Sequence, residues 1–252
     1  MGPLADGYPW GMETLGAADA EPRGPVDTVV LDVDGTLVDS NYHHTLAWAR
    51  AFAASGYDVP LWRIHRSIGM GGDRLVARLI GKDAAAEVGE DVAAAWEKEF
   101  DRLLPEIRPL PHAKELLQRL DERRVTVVLA SSGKPQHTDH FIELLEAREH
   151  IDDVARGGEH TDSKPAPDLI EKAVQEAGGS SPMVIGDSVW DAEAATRADA
   201  STVALLTGGT GAAELEAAGA DTVCENIAAL LGVLDDLLAG RPQENAGSTS
   251  RP

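Results

Sequence analysis

Six short apolar runs, separated for the most part by amphipathic helical patterns, constrain the fold of this chain more than any other feature. The runs cover residues 28–33, 125–131, 153–156, 182–187, 202–206 and 221–224. Strands that alternate with helices favour a parallel sheet with helices packed on both of its faces. The sequence therefore predicts an α/β fold, a three-layer sandwich built around a parallel sheet.

One long interval interrupts this alternation. Between the first and second runs lie roughly ninety residues with helical periodicity, rich in Ala, Leu and Glu, and with no strand pattern. We expect residues 26–41 and 111–239 to form the core domain, and residues 42–110 to form an inserted α-helical cap domain. Because the insertion follows the first strand directly, it would lie above the carboxyl edge of the sheet, where a lid is placed.

The two ends of the chain differ from its centre. Residues 1–25 and 240–252 are rich in small, polar and Pro residues, which predicts a flexible N-terminal extension and a flexible C-terminal tail. The first residues have neither the basic start nor the apolar stretch of a secretory signal. With a single cysteine, Cys224, no intrachain disulfide can form. We expect a cytoplasmic protein, either a monomer or a weak homodimer.

The net charge restricts the possible partners. A formal charge of −21 would repel nucleic acid backbones and anionic membrane surfaces. No apolar segment approaches the length that a membrane span needs. We therefore expect neither a nucleic acid nor a membrane as partner, although an acidic face could still serve a basic protein.

The first apolar run ends in the sequence VVLDVDGTLVDSN, residues 29–41, which places Asp32 and Asp34 one residue apart. Open α/β sheets bind their ligands where strands end, so both acids would stand at such an edge. Two neighbouring carboxylates repel and shift each other's pKa unless a cation lies between them. The pattern predicts a metal ion, a shared proton, or both.

Three further chemical groups follow other predicted strands. Ser131 ends the second run, Lys164 follows the third, and Asp187 ends the fourth with Asp191 close behind. Because the carboxyl ends of parallel strands share one edge, we expect these side chains to meet Asp32 in one crevice.

Together these groups suit phosphoryl transfer. Asp32, Asp34 and Asp187 offer the hard oxygen ligands that Mg²⁺ prefers. A carboxylate can also attack phosphorus, and a second acid, Asp34, could protonate the leaving oxygen and later deprotonate water. Ser131 could donate hydrogen bonds to phosphoryl oxygens, and Lys164 could neutralise their charge. The set predicts catalysis through a covalent intermediate, mainly by positioning and charge.

At this point the sequence resembles the haloacid dehalogenase superfamily of phosphohydrolases. The resemblance rests on LDVDGTLVDS, LASSGK, SKPAPD and GDSVWDAEAA, in the order and rough spacing of that family, and it covers residues 28–238. It implies a Rossmann-like core with a helical cap. Within the family, the motifs look like those of phosphoglycolate phosphatases and β-phosphoglucomutases.

The resemblance also implies roles for individual residues. By it, Asp32 is the nucleophile and Asp34 is the general acid and base, which also binds the metal through its backbone carbonyl. Ser131 and Lys164 would hold the phosphoryl group, and Asp187 would bind Mg²⁺.

Five other residues of the motifs receive less specific predictions. We expect Gly35, Thr36, Ser132 and Gly133 to contact the substrate, although Ser132 could equally be a turn residue. Asp191 would steady Lys164 or the surroundings of the metal ligands. It could also be no more than an acid in the first turn of a helix.

Three aromatic residues have open interpretations. His44 and Trp48 lie one helical turn apart, and in sugar-phosphate mutases of this superfamily an equivalent pair lies near the hinge of the cap. We expect His44 to contact substrate, with a packed hinge pair as the alternative. Trp190 is expected to pack against the cap or a neighbour, and we assign it no role.

The segment HRSIGMGGDR, residues 65–74, joins two helical patterns of the predicted cap. In the family, a loop at this place reaches the substrate. Its glycines would let the backbone approach closely, and Arg66 or Arg74 could grip an anionic group. A simple turn between two helices is the alternative.

The leading hypothesis is a Mg²⁺-dependent phosphatase that acts on a small phosphorylated metabolite. A phosphomutase of the β-phosphoglucomutase type is the first alternative, weakened because Gly71 and Gly72 stand where those mutases place a basic residue. A non-catalytic phospho-acceptor or acidic binding protein is the second alternative. Signalling receiver domains of that kind lack an acid two residues after the phosphorylated Asp, so Asp34 favours an enzyme.

Overall fold

The computed structural model of this chain describes residues 24–156 and 164–240. Within them the predicted parallel sheet is confirmed, with six strands in the order β3-β2-β1-β4-β5-β6. The strands are β1 (Thr28–Leu31), β2 (Thr126–Ser131), β3 (Asp153–Arg156), β4 (Pro182–Gly186), β5 (Ser201–Leu205) and β6 (Thr222–Cys224). The predictions for residues 1–25 and 240–252 fall almost entirely outside the described residues.

Strand β1 lies in the middle of the sheet. Thr28 pairs with Thr126 of β2 on one side and with Pro182 of β4 on the other, both in parallel. The first strand is shorter than the sequence predicts, because the chain turns at once: the carbonyl of Val33 accepts hydrogen bonds from the backbone N–H groups of Leu37 and Val38. The residues after β1 therefore lie at the point where the strand order reverses, which is the usual ligand position in such sheets.

Four helices fill the interval between β1 and the core helix that precedes β2, as the periodicity predicts. These cap helices, the name used below for this group, are α1 (Asn41–Ala54), α2 (Leu61–His65), α3 (Gly72–Ile80) and α4 (Lys82–Leu103). Helix α4 packs against both α1 and α3. Whether the cap helices behave as a separate domain stays a prediction.

In the described part of the chain, six further α-helices cover the sheet. They are α5 (Ala113–Glu122), α6 (Pro135–Leu145), α7 (Asp168–Ala177), α8 (Val189–Arg197), α9 (Ala212–Ala217) and α10 (Ile227–Leu238). Successive strand residues point to opposite faces. In β1, Val29 and Leu31 belong to the apolar cluster formed with α5, α6 and α10, whereas Val30 belongs to the cluster formed with α7 and α8. This alternation produces the three predicted layers.

Among the described residues, no helix combines the length and the apolar character that crossing a bilayer would require. The single cysteine, Cys224, is buried at the end of β6. Its position agrees with the role of a small packed apolar residue.

Candidate active site

Four predicted site residues meet at the carboxyl edge of the sheet. Asp32 follows β1, Ser131 ends β2, and Asp187 follows β4, so three adjacent strands deliver them. Lys164 comes from the segment between β3 and α7. Each of the four side chains belongs to a residue that is almost fully buried.

Lys164 lies between two carboxylates. Its ammonium donates to Asp32 Oδ1, lies 2.6 Å from Asp191 Oδ1, and is 3.4 Å from the carbonyl oxygen of Ala130. Burial by itself would lower the pKa of Lys164, but the charges of Asp191 and Asp32 outweigh it and raise that pKa. The two carboxylates therefore favour the charged form of Lys164.

Asp191 fits both interpretations that the sequence left open. It is an acid of the first turn of α8 and completes a capping box, in which its Oδ2 accepts from the backbone N–H of Ser188 at 3.1 Å. Its other oxygen contacts Lys164. The helix cap thus fixes the carboxylate that in turn fixes the lysine.

Three carboxylates converge at this site. Oxygen atoms of Asp32, Asp187 and Asp191 all lie within 4.8 Å of one another. Burial raises the pKa of Asp32 to about 7 and that of Asp187 well above its ordinary value, and the neighbouring acids add to both shifts. One lysine does not balance three buried acids, so this donor set fits a hard divalent cation.

Asp187 is held on both of its oxygens. Thr36 Oγ1 donates to Oδ1 at 3.1 Å, and the Asn41 amide Nδ2 donates to Oδ2 at 2.6 Å. Gly35 and Gly208 close the space around it, since a Cβ at either position would overlap the Asp187 carboxylate. Thr36 is fully buried and contacts the acids, and the predicted contact of Gly35 and Thr36 with substrate stays a prediction.

Asn41 was missed by the sequence interpretation. It occupies the first residue of α1, within the quoted motif, but its partner Asp187 is 146 residues away in the chain. An asparagine at a helix start normally signals a cap. Asn41 instead contacts Asp187, because the start of α1 lies beside the end of β4.

The side chain of Asp34 contacts two residues at the start of α1. Its Oδ1 accepts hydrogen bonds from Ser40 Oγ at 2.6 Å and from His44 Nε2 at 2.9 Å. Burial would raise the pKa of Asp34, but the imidazole of His44 and these two hydrogen bonds lower it below its ordinary value. The three carboxylates whose oxygens lie within 4.8 Å of one another are those of Asp32, Asp187 and Asp191, and Asp34 is not among them. A contribution of Asp34 to the metal through its backbone carbonyl stays a prediction.

The turn after β2 lies opposite Asp34. The backbone N–H of Gly133 donates to Ser131 Oγ at 3.1 Å, and a Cβ at Gly133 would lie 3.8 Å from Asp34 Oδ2. Ser132 is partly exposed at the same turn. The predicted phosphoryl contacts of Ser131, Ser132 and Gly133 stay predictions.

The His44 ring connects this edge to the cap helices. It stacks on Phe100 with ring centroids 3.9 Å apart, and its Nε2 contacts Asp34. Trp48, one turn later, stacks on Trp96 of α4 at 5.0 Å. The pair is therefore packed, as one interpretation predicted, while His44 also contacts a candidate catalytic acid.

The loop of residues 65–74 contacts the core beside α8 and α9. Gly69, with φ at +96°, lies so close to Ser188 that a Cβ would overlap the hydroxyl. Arg66 is mostly exposed and donates to both carboxylate oxygens of Glu214. Arg74 is partly buried in α3. The structure thus connects Arg66 to the core surface, and its predicted substrate contact stays a prediction.

Trp190 packs against the cap helices, as expected. A Cβ at Gly69 would lie 3.0 Å from its indole, and the guanidinium of Arg78 lies 5.2 Å from its ring centroid. Trp190 is buried, and in the sequence it stands between Asp187 and Asp191. Its packing against the cap helices therefore lies next to the acidic cluster.

Comparison with known proteins agrees with this geometry. The family model for haloacid dehalogenase-like hydrolases matches residues 26–199. Phosphoglycolate phosphatase from Vibrio parahaemolyticus is 26% identical over 221 residues, which cover 83% of this chain and 96% of that protein. Validoxylamine A 7'-phosphate phosphatase from Streptomyces hygroscopicus subsp. limoneus is 26% identical over 153 residues, which cover 55% of this chain and 65% of that protein.

A solved structure is also similar. The crystal structure of a hydrolase from Pseudomonas syringae matches with a TM-score of 0.79 at 35% sequence identity. The match covers 83% of this chain and 98% of that one. The similarity therefore extends over the cap helices as well as the sheet.

Proposed function

The chain belongs to the haloacid dehalogenase-like hydrolase family, and on that premise we propose that it is a Mg²⁺-dependent phosphatase of small phosphorylated metabolites. The proposed reaction is hydrolysis of a phosphate monoester through an aspartyl-phosphate on Asp32. The observation that carries the proposal is the cluster of Asp32, Asp187 and Asp191 within 4.8 Å, beside a buried lysine.

The donor set supports the choice of metal. Mg²⁺ binds through few carboxylates, several waters and the phosphate of its substrate. Asp32 and Asp187 would hold it, with the backbone carbonyl of Asp34, while Asp191 is occupied by Lys164. When bound, the ion would draw negative charge from the phosphoryl oxygens.

In the proposed first step, an Asp32 oxygen attacks phosphorus and the bond from phosphorus to the leaving oxygen breaks. Asp34 gives a proton to that oxygen, which leaves as an alcohol. His44 Nε2 and Ser40 Oγ contact the Asp34 carboxylate and hold it in place. Lys164 and Ser131 stabilise the charge that develops on the phosphoryl group.

In the proposed second step, water attacks the phosphorus of the aspartyl-phosphate. Asp34, now ionised, takes a proton from that water, and the bond from phosphorus to Asp32 breaks to release inorganic phosphate. The lowered pKa of Asp34 favours the ionised form that this step needs. It opposes the protonated form that the first step needs, and the negative charge of a bound phosphate monoester would favour that form.

The test is phosphate release from p-nitrophenyl phosphate by the full chain, with Mg²⁺ and after its removal by EDTA. We expect Mg²⁺-dependent turnover that Asp32→Asn abolishes, since an amide is a poor nucleophile. The matched control is Asp39→Asn, an exposed acid of the same loop, which should keep wild-type activity.

A panel of phosphorylated sugars, short acids and nucleotides extends the assay to the natural substrate class. Absence of phosphate release from every member, with Mg²⁺ present, would refute the proposal. A mutase would instead return the phosphoryl group to a second hydroxyl of a sugar and release little inorganic phosphate. Product analysis on the sugar phosphates separates these two reactions.

A further inference from the structure

Asn41 has an unusual position for an asparagine at the start of a helix. It is the first residue of α1 and is 5% exposed, and its side chain leaves the helix backbone uncapped. The Nδ2 group donates to Asp187 Oδ2 at 2.6 Å instead. A carboxylate that binds a cation can only accept hydrogen bonds, so an amide that presents its NH₂ end to Asp187 suits a metal ligand.

The surroundings of Asn41 leave its amide little freedom. Gly35, with φ at +79°, passes so close that a Cβ there would overlap both the Asn41 amide and the Asp187 carboxylate. Thr36 occupies the other oxygen of Asp187. Thr36 and Asn41, which follow β1, thus hydrogen-bond to both carboxylate oxygens of Asp187, which follows β4.

The other end of the amide is unsatisfied. Asn41 Oδ1 is buried and is one of the few such side-chain atoms in the described part of the chain with no hydrogen-bond partner. An unpaired buried acceptor costs free energy, so such an atom calls for an explanation. Mg²⁺ keeps several waters in protein sites, and a water held beside Asp187 would be a suitable donor.

We propose that Asn41 is a positioning residue of the metal site, which orients the Asp187 carboxylate through its NH₂ group and completes the site through its buried Oδ1. The inference rests on the proposed function, since it needs the divalent cation that the phosphatase would use. Groups that hydrogen-bond to metal ligands typically contribute about 10–100-fold to metal affinity.

The experiment measures Mg²⁺ binding to the full-length protein by isothermal titration calorimetry. We expect Asn41→Ala to raise the Kd for Mg²⁺ by about 10–100-fold. At saturating Mg²⁺ its turnover of p-nitrophenyl phosphate should return to within about threefold of wild type, because Asp32 and Asp34 are unchanged. If Asn41 had only a structural role, Asn41→Ala would lower the fraction of folded protein, and saturating Mg²⁺ would not restore turnover.

Asn226→Ala is the matched control. Asn226 caps α10 through a hydrogen bond from the backbone N–H of Ala229 at 3.0 Å, far from the acidic cluster in the chain. Its loss should lower the melting temperature and leave the Kd for Mg²⁺ unchanged. Asn41→Ser, which retains a small donor, should give an intermediate Kd and replaces Asn41→Ala if that variant does not fold.

The outcomes separate this inference from the proposed function. Wild-type affinity for Mg²⁺ in both folded Asn41 variants would overturn the role of Asn41 and leave the phosphatase proposal intact. Weakened binding whose activity is not rescued by Mg²⁺ would also overturn it. Failure of the wild-type protein to bind Mg²⁺ at all would overturn the metal site and the role of Asn41 together.

Discussion

Asp32 and Asp34 lie two residues apart, yet their surroundings shift their pKa values in opposite directions. Burial raises the pKa of Asp32 even though Lys164 opposes the shift, while His44 and Ser40 lower the pKa of Asp34. In the metal-free protein Asp32 therefore holds a proton more readily than Asp34, and a bound divalent cation would favour the ionised Asp32 that a nucleophile needs. We therefore expect replacement of Asp32 and replacement of Asp34 to have different effects on activity.

Replacing Asp34 by Asn should slow turnover by about 10²–10⁴-fold, because the general acid and base is lost while the nucleophile remains. With an activated aryl phosphate the first step needs less acid, so aspartyl-phosphate should accumulate on Asp32. Intact-protein and peptide mass spectrometry would detect the labile adduct. Equal losses on aryl and alkyl phosphates, with no adduct, would contradict the assigned roles.

Binding of Mg²⁺ should strengthen as the pH rises from about 5 to about 8. The pKa of Asp32 is raised to about 7 and that of Asp187 is also raised, so protons compete with the cation below neutrality. Calorimetry in buffers of different ionisation enthalpy would report proton release on binding. An affinity that does not change over this range would contradict the prediction.

The raised pKa of Asp32 also determines whether the free energy of unfolding rises or falls with pH. The metal-free folded protein holds protons on Asp32 that the unfolded chain has already released. Its free energy of unfolding should therefore fall as the pH rises from about 4 to about 7, to the extent that this group contributes. Denaturant titrations with and without Mg²⁺ check this, because the cation should offset the loss.

Individual site residues differ in how far the sequence predicts them. Asp32, Ser131, Lys164 and Asp187 follow strands in matched motifs, and the structure brings them to one edge. Asn41 could not be found in that way, because its importance comes from a contact made across the sheet edge. A local pattern carries no information about such a contact.

At the scale of elements, the cap helices contact the core on both sides of the site. On one side His65 Nε2 lies 2.9 Å from the carbonyl oxygen of Gly208, and Arg66 pairs with Glu214. On the other side His137 Nε2 lies 2.8 Å from Asp101 of α4. The sequence predicts the helices from their periodicity, but it does not predict these pairings, since a polar side chain has many possible partners elsewhere in the chain.

The Arg66–Glu214 pair allows a direct test of the loop of residues 65–74. If Arg66 serves only the ion pair in which it donates to both Glu214 oxygens, Arg66→Ala and Glu214→Gln should change kcat/KM alike, and only slightly. Exposed ion pairs contribute little to stability, so melting temperatures should also be nearly unchanged. A rise in KM for an anionic substrate confined to Arg66→Ala would instead support substrate contact.

At the scale of the whole molecule, the order of layers follows from the sequence with little ambiguity. Short apolar runs with no polar alternation, such as Val29, Val30 and Leu31, are typical of a strand covered on both faces. Helical segments on either side then require a layered α/β arrangement. Strand ends are less certain, because the turn after Val33 depends on hydrogen bonds within the loop. The predicted monomer or weak homodimer stays a prediction.

Cys224 offers a reporter for the whole fold. It is the one cysteine of the chain, it is 3% exposed, and burial raises its pKa to about 11. Since the thiolate is the reactive form, we expect the native protein to react with a disulfide reagent only at the rate at which it unfolds. Stopped-flow labelling across a denaturant series measures this. Fast labelling of the native protein would show that β6 opens locally.

The central place of β1 also has a consequence for how the chain acquires its structure. Thr28 pairs with Thr126 and with Pro182. The first strand can therefore join the sheet only when chain segments about 100 and 150 residues further along come to lie beside it. Closing such loops costs entropy before any ladder forms. Helices α1 and α4 contact each other within the first of these loops, and their early association would shorten the effective separation. Changes that weaken this helix pair, such as Phe100→Ala, should then slow the folding of the sheet although they lie outside it.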